Sequence, residues 1–285
     1  MKSAHPLSAH PFDAALALSL QADGSYAGAT SPAWQNMVGP FGGVTAGVVA
    51  NAIAQHPDCL GEPVSLTVNY AAGLAPGAYS LALRAARTNR STQHWVAEIT
   101  QAQPDGSVQT VLTATAITAA RRDTWSANDT PMPEVPPPTQ LVQLATPPGI
   151  EWLARYDLRS VRGEIPLHWD GSENDAHPDH ASLSQLWVRD VPARPLDFAS
   201  LTAMADIFFP RVWVRRAKMV PAGTVSLTVY FHADSTQLAQ SGDGFLLGQA
   251  RAQAFRNGFF DQMGQLWSAD GHLLATTHQL VYFKE

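Results

Sequence analysis

Phe41-Gly42-Gly43-Val44-Thr45-Ala46-Gly47-Val48 returns 157 residues later as Phe198-Ala199-Ser200-Leu201-Thr202-Ala203-Met204-Ala205. Working outward, the order persists. Ser65-Leu66-Thr67-Val68-Asn69-Tyr70 matches Ser226-Leu227-Thr228-Val229-Tyr230-Phe231 at an offset of 161, and Asp105-Gly106 matches Asp270-Gly271 at 165. A drift of four residues at a time is what small loop insertions produce. The period is far longer than that of a solenoid or propeller, so the chain reads as a duplicated domain.

Around each copy the local pattern is the same. Gly39-Pro40-Phe41-Gly42-Gly43 is a turn that opens a helix to about Gln55, apolar on nearly every face and therefore buried; Pro57 ends it. Strands are predicted over 64–71, 79–88, 94–103 and 108–119, rich in Val, Thr, Leu and aromatics and separated by Gly, Pro and Asp turns. In the second copy Asp197 caps a helix predicted from Phe198 to about Phe209, which Pro210 ends. Strands are predicted over 152–162, 184–189, 224–232, 244–257, 259–268 and 272–283, with a polar loop at 170–182. A helix apolar all round beside strands with one apolar face implies a sheet wrapped around the helix, and two such halves bury their remaining apolar surface side by side. The expected domains are residues 1–130 and 151–285, joined by a Pro-rich linker at 131–150 with seven prolines between 131 and 148.

Composition narrows the function. The 285 residues carry a net charge of −6, which argues against nucleic acid as a partner. Charged residues are 15% of the chain, against roughly 25% in typical soluble domains; the shortage points to surface buried between the halves or in an oligomer. The single cysteine, Cys59, allows no intrachain disulfide and suits a reducing compartment. No apolar run is long enough to cross a membrane, and Ala14 to Leu20, flanked by Asp13 and Asp23, is a poor signal peptide. A cytoplasmic location is expected. Neither a Gly-x-Ser-x-Gly elbow nor a phosphate loop occurs. His177-Pro178-Asp179-His180 is read as a solvated loop and Gly242-x-Gly244 as a turn. Arg211, Arg215, Arg216 and Lys218 read as a solvated edge, or alternatively as a patch that meets an anionic group such as a phosphate.

Where the twins disagree chemically, function is expected. Val49 is replaced by Asp206, Pro63 by Thr224 and Ala114 by Gln279. A carboxylate in an apolar helix is costly unless partnered, and is also how a general base with a raised pKa is made. A hydroxyl and an amide beside it could hold a water for attack. Each residue alone also has a plain structural reading.

The Gly39-Pro40-Phe41-Gly42-Gly43 turn, the Leu196-Asp197 to Asp206 helix and the Thr224 to His232 strand resemble the TesB-like acyl-CoA thioesterases over nearly the whole chain. That resemblance implies an α+β double hotdog, two antiparallel sheets each wrapped around a central hydrophobic helix, and a place in fatty acid metabolism. It implies hydrolysis of an acyl-CoA by a water bound to Asp206, Thr224 and Gln279, with no cofactor and no metal. A homo-oligomer through the hotdog sheets is compatible with it. The chain departs from the better-known members at Ser226-Leu227, where they carry an Asp-His pair, and at Val44, which follows Gly42-Gly43 where they have Gln. The helix N-terminus near Phe198 to Ser200 is a candidate to polarise the thioester carbonyl. The alternatives are a non-catalytic acyl-CoA or lipid-binding protein on the same scaffold, and a hydratase, which needs a His to work with Asp206; only His232 could approach.

Overall fold

The computed structural model describes residues 9–166, 168–174 and 181–285; the motif from His177 to His180 lies outside them. A short helix α1 (Pro11–Ala15) and the strands β1 (Ser19–Leu20) and β2 (Tyr26–Ala29) occupy the first thirty residues, which carry little sequence pattern. Then come α2 (Gly42–Ala54), β3 (Glu62–Tyr70), β4 (Ala78–Thr88), β5 (Thr92–Ala102) and β6 (Val108–Ala119). The second half supplies β7 (Tyr156–Arg162), β8 (Ser184–Asp190), α3 (Phe198–Met204), α4 (Arg211–Arg215), β9 (Ala222–Phe231) and α5 (Ser235–Ser241). It ends with β10 (Leu246–Arg251), β11 (Phe255–Arg256), β12 (Phe259–Ser268) and β13 (Leu273–Phe283). The single strand expected over 244–257 is split into β10 and β11, and the one expected from Trp152 begins as a 3-10 turn, Glu151–Arg155.

Alternation fixes the inner face. Along β5, Gln93, Trp95, Ala97, Ile99 and Gln101 are buried while their neighbours are more exposed. Two separate sheets were expected; the strands form one. Its order is β1-β2-β4-β5-β6-β3-β9-β13-β12-β10-β8-β7, with β11 paired to β12. The join is β3 against β9, antiparallel, with Thr67 opposite Thr228 and their hydroxyls 3.0 Å apart. These two threonines are equivalents at the 161 offset, so a pseudo-twofold axis passes between them. Pairing the two copies of one strand removes two unpaired edges at once.

The helices obey the same symmetry. A Cβ at Gly43 would lie 2.5 Å from the Ala203 carbonyl, and one at Gly47 would lie 3.1 Å from that of Ala199. Contacts thus run up α2 and down α3: the helices are antiparallel, and their small residues let the backbones touch. The C-terminal end of α3 therefore lies on the N-terminal end of α2. The helix expected to reach Phe209 stops at Met204. The Ala205 amide is shared between the Leu201 and Thr202 carbonyls, and the Asp206 amide turns back to Ala203 at 3.1 Å, tightening the last turn. Asp206 stands just past the helix instead of inside it.

The Pro-rich segment is strapped down. Trp187 Nε1 donates to Pro136 O at 2.9 Å, Trp267 Nε1 to Thr130 O at 3.2 Å and Arg159 Nη1 to Pro138 O at 2.8 Å. Met132, Val135 and Leu141 pack on Trp187, Leu247 and Trp267, one row across β8, β10 and β12.

Asp190 is buried at the end of β8, and neither carboxylate oxygen has a hydrogen-bond partner among the described residues. Burial pushes its pKa up to about 7; Arg194 opposes this, and Asp197 and Asp13 add to it. The folded protein keeps a proton that the unfolded chain has already released above about pH 4, so stability falls as pH rises from about 4 to 7. Asp190→Asn is expected to remove much of that fall, on the order of 2 kcal/mol at pH 8. Denaturant unfolding at pH 4.5 and pH 8 checks it; parallel losses in variant and wild type would acquit Asp190.

Candidate active site

The three break positions converge. Gln279 Nε2 donates to Asp206 Oδ1 at 2.9 Å, and Thr224 Oγ1 donates to Gln279 Oε1 at 3.2 Å. The amide is thereby held in one orientation, nitrogen toward the acid and oxygen toward the hydroxyl. A β-bulge makes this possible. In β9 and β13, Gln279 pairs with Leu227 and Leu280 with Ser226, but Val281 pairs with Thr224. Without the skipped residue, Thr224 would face away from Gln279; the bulge turns it onto the same face. The first half has the same shift between Pro63 and Ser65, with no hydroxyl to aim.

Asp206 is a half-buried residue whose carboxyl group is enclosed by protein atoms. Burial pushes its pKa up to about 7, while the hydrogen bonds from Gln279 and the Gly43 backbone amide pull in the opposite direction. That amide belongs to the first turn of α2, from the other half of the chain. The approach is close: a Cβ at Gly42 would lie 2.9 Å from Asp206 Oδ2 and 3.3 Å from the Tyr70 hydroxyl. Only glycine leaves that space open. Tyr70, at the end of β3, donates its hydroxyl hydrogen to Gly42 O at 2.8 Å.

Several expected roles change. The α3 N-terminus near Phe198 to Ser200 is closed by its own capping box: Ser200 N donates to Asp197 Oδ1 at 2.8 Å, and Asp197 N donates to Ser200 Oγ at 3.0 Å. It also lies at the opposite end of α3 from Asp206. The helix start beside Asp206 is that of α2, whose N-cap Phe41 offers no capping side chain. Arg211 is not a surface cation. It is fully buried and donates to the carbonyls of Phe209 and Ser182 and to Ser184 Oγ. Arg215 pairs with Glu173 and Arg216 with Glu285. Both line an open cavity of about 560 Å³ with Arg256, Phe255 and Phe283, which Asp206, Thr224 and Gln279 do not line. The Cys59 thiol is pushed up by burial, the reverse of what a nucleophile needs. His232 donates to or accepts from Thr276 Oγ1 at 3.0 Å, and among the described residues no histidine is hydrogen-bonded to Asp206. Leu227 is buried in the core. Among the described residues no group of three or more His, Cys, Asp or Glu could hold a metal, and no helix is long and apolar enough to cross a membrane.

Gly42, Gly43 and Tyr70, all of the first copy, also border the acid. The sequence marks the two glycines as the opening of α2 and as part of the family resemblance, and it marks Tyr70 by its twin at offset 161, Phe231.

Residues 30–119 match the family model for the acyl-CoA thioesterase N-terminal domain, and residues 129–283 match that for the acyl-CoA thioesterase C-terminal domain. Among solved structures, a hotdog-fold protein of unknown function from Alicyclobacillus acidocaldarius is 43% identical, with a TM-score of 0.87 over 97% of this chain and 98% of that one. An acyl-CoA thioesterase II from Mycobacterium marinum is 18% identical, with a TM-score of 0.69 over 96% of each chain. A dehydratase domain from Mycobacterium tuberculosis, solved in complex with C12:1-CoA, is 15% identical, with a TM-score of 0.53 over 96% of this chain and 99% of that one. The last two share the fold alone, and they show it under different chemistries. No curated protein matches the sequence. Sequence matches on both sides of the pseudo-twofold axis leave one assignment: the chain belongs to the acyl-CoA thioesterase family.

Proposed function

We propose that this protein hydrolyses an acyl-CoA to the free acid and CoA with a water activated by Asp206. The observation that carries the reading is the hydrogen-bonded chain Thr224 to Gln279 to Asp206, ending on a carboxyl group poised near pH 7. A base with a pKa near the working pH is available in its charged form and still basic enough to take a proton. Asp206 takes a proton from the water as its oxygen attacks the thioester carbonyl carbon. The tetrahedral intermediate then expels the CoA sulfur, and Asp206 returns the proton to it. Gln279 steadies the carboxylate, and Thr224 steadies Gln279. The first turn of α2, where no side chain caps the helix, turns its positive end toward the developing oxyanion, with the Gly43 amide kept on Asp206. One site per chain follows, because the twin positions are Val49, Pro63 and Ala114. A hydratase reading lacks its histidine, since His232 is engaged with Thr276.

The test is thiol release from a panel of short, long and aromatic acyl-CoAs. The rate should rise with pH through about 7 and level off above it, because the base works deprotonated. A rate that falls between pH 6 and 8 would remove Asp206 as the base. Saturable acyl-CoA binding without thiol release would leave a binding protein on an enzyme's scaffold.

A further inference from the structure

The geometry points to Tyr70 as a positioning residue of the Asp206 site: its hydroxyl holds the first turn of α2, Gly42 and Gly43, close against the Asp206 carboxylate. This rests on the proposed role of Asp206 as the base.

Three observations carry it. First, α2 begins without a capping side chain, so its opening turn depends on outside contacts, and the Tyr70 hydroxyl supplies one at Gly42 O, 2.8 Å away. Second, the open side of Gly42 lies between Asp206 Oδ2 and the Tyr70 hydroxyl, so the phenol borders the space next to the acid. Third, the hydroxyl accompanies the acid across the duplication. The twin of Tyr70 is Phe231, which packs edge-on against Phe198 with ring centroids 5.5 Å apart, and that end of the helix pair has Val49 in place of Asp206. If only packing were needed at position 70, phenylalanine would serve there as it does at position 231.

Burial, with Asp206 nearby, keeps the phenol neutral and a hydrogen-bond donor at all working pH values. Among the described residues Tyr156 of β7 also senses Asp206, and burial keeps it neutral. Gln279 and the Gly43 amide face the acid as well. The hydroxyl thus acts through Gly42 and Gly43, without touching the reacting atoms.

Tyr70→Phe keeps the ring and removes the hydroxyl. The Gly43 amide lowers the Asp206 pKa, so loosening it should raise that pKa above the wild-type value, read from the carboxyl carbon by NMR against an Asp206→Asn reference. The expected kinetic result is a loss in kcat on the order of tenfold or more with KM changed less than about threefold. The double variant with Asp206→Asn should be no slower than Asp206→Asn alone, because both act on one step. An unchanged Asp206 titration in Tyr70→Phe overturns the proposal, as does a double variant whose losses multiply. If the wild type releases no thiol from any acyl-CoA, the hydrolytic reading fails separately, and the Asp206 titration still decides what Tyr70 holds.

Discussion

Asp206→Asn is expected to lower kcat for thioester hydrolysis by roughly 10²–10⁴-fold, the contribution typical of a general base. The substitution is nearly isosteric, and its carbonyl oxygen can still accept from Gln279 Nε2, which lies 2.9 Å from Oδ1. The Gln279 contact is kept while basicity is lost. The same change should stabilise the fold at pH 8. Burial raises the pKa of Asp206 to about 7, so the folded protein holds a proton that the unfolded chain releases above about pH 4. That penalty grows as pH rises through this window and is absent from the amide. A variant slower by two orders of magnitude or more, and harder to unfold at pH 8 than at pH 4.5 relative to wild type, is the signature of a site built at the expense of stability. Thiol release and denaturant unfolding on the same preparation measure both. A loss of less than about tenfold would remove the base role.

Gly43→Ala is expected to destabilise the protein by roughly 2–3 kcal/mol. Helix propensity alone predicts the opposite sign, a gain of about 1 kcal/mol for replacing glycine inside a helix. The packing decides. The new methyl would sit 2.5 Å from the Ala203 carbonyl and 2.5 Å from the Phe41 ring. Phe41 cannot retreat, because it is stacked on Trp152 with centroids 4.2 Å apart. The remaining route is separation of α2 from α3, which also carries Asp206 away from the α2 first turn. Activity should fall along with stability. Gly47→Ala, whose nearest backbone contact is 3.1 Å, should be milder. Thermal unfolding of the two variants side by side checks the order; a Gly43→Ala protein more stable than wild type would show that the helices are not in contact at that point.

Much of the molecule is legible in the chain because burial writes a local pattern. The apolar α2 helix, β6 and β12 fall where periodicity and turn residues place them. The acid, the hydroxyl and the amide stand out because each is polar where its twin is not. Other features left no such trace. Arg211 reads as a surface cation from its basic neighbours, yet it is enclosed with backbone carbonyls and Ser184 for partners. The Pro-rich stretch reads as a semi-rigid linker, and Trp187 and Arg159 hold it at Pro136 and Pro138. In both cases the partners lie elsewhere in the chain, so composition near the residue carries no record of them.

By itself the sequence determined the duplication, the two buried helices with the long strands that follow them, and the three positions where one copy departs chemically from the other. These follow from side-chain character along the chain, repeated or broken. Only the tertiary structure decided that the two sheets are one, joined at Thr67 and Thr228. It also decided that a bulge turns Thr224 toward Gln279, and that antiparallel contact of α2 with α3 sets Asp206 against Gly42, Gly43 and Tyr70 of the other half. The physical reason is that strand edges and small-residue helix faces state only that they will pair. Which partner they take, and in what register, is settled when edges are satisfied and backbones brought into contact across more than a hundred residues of chain.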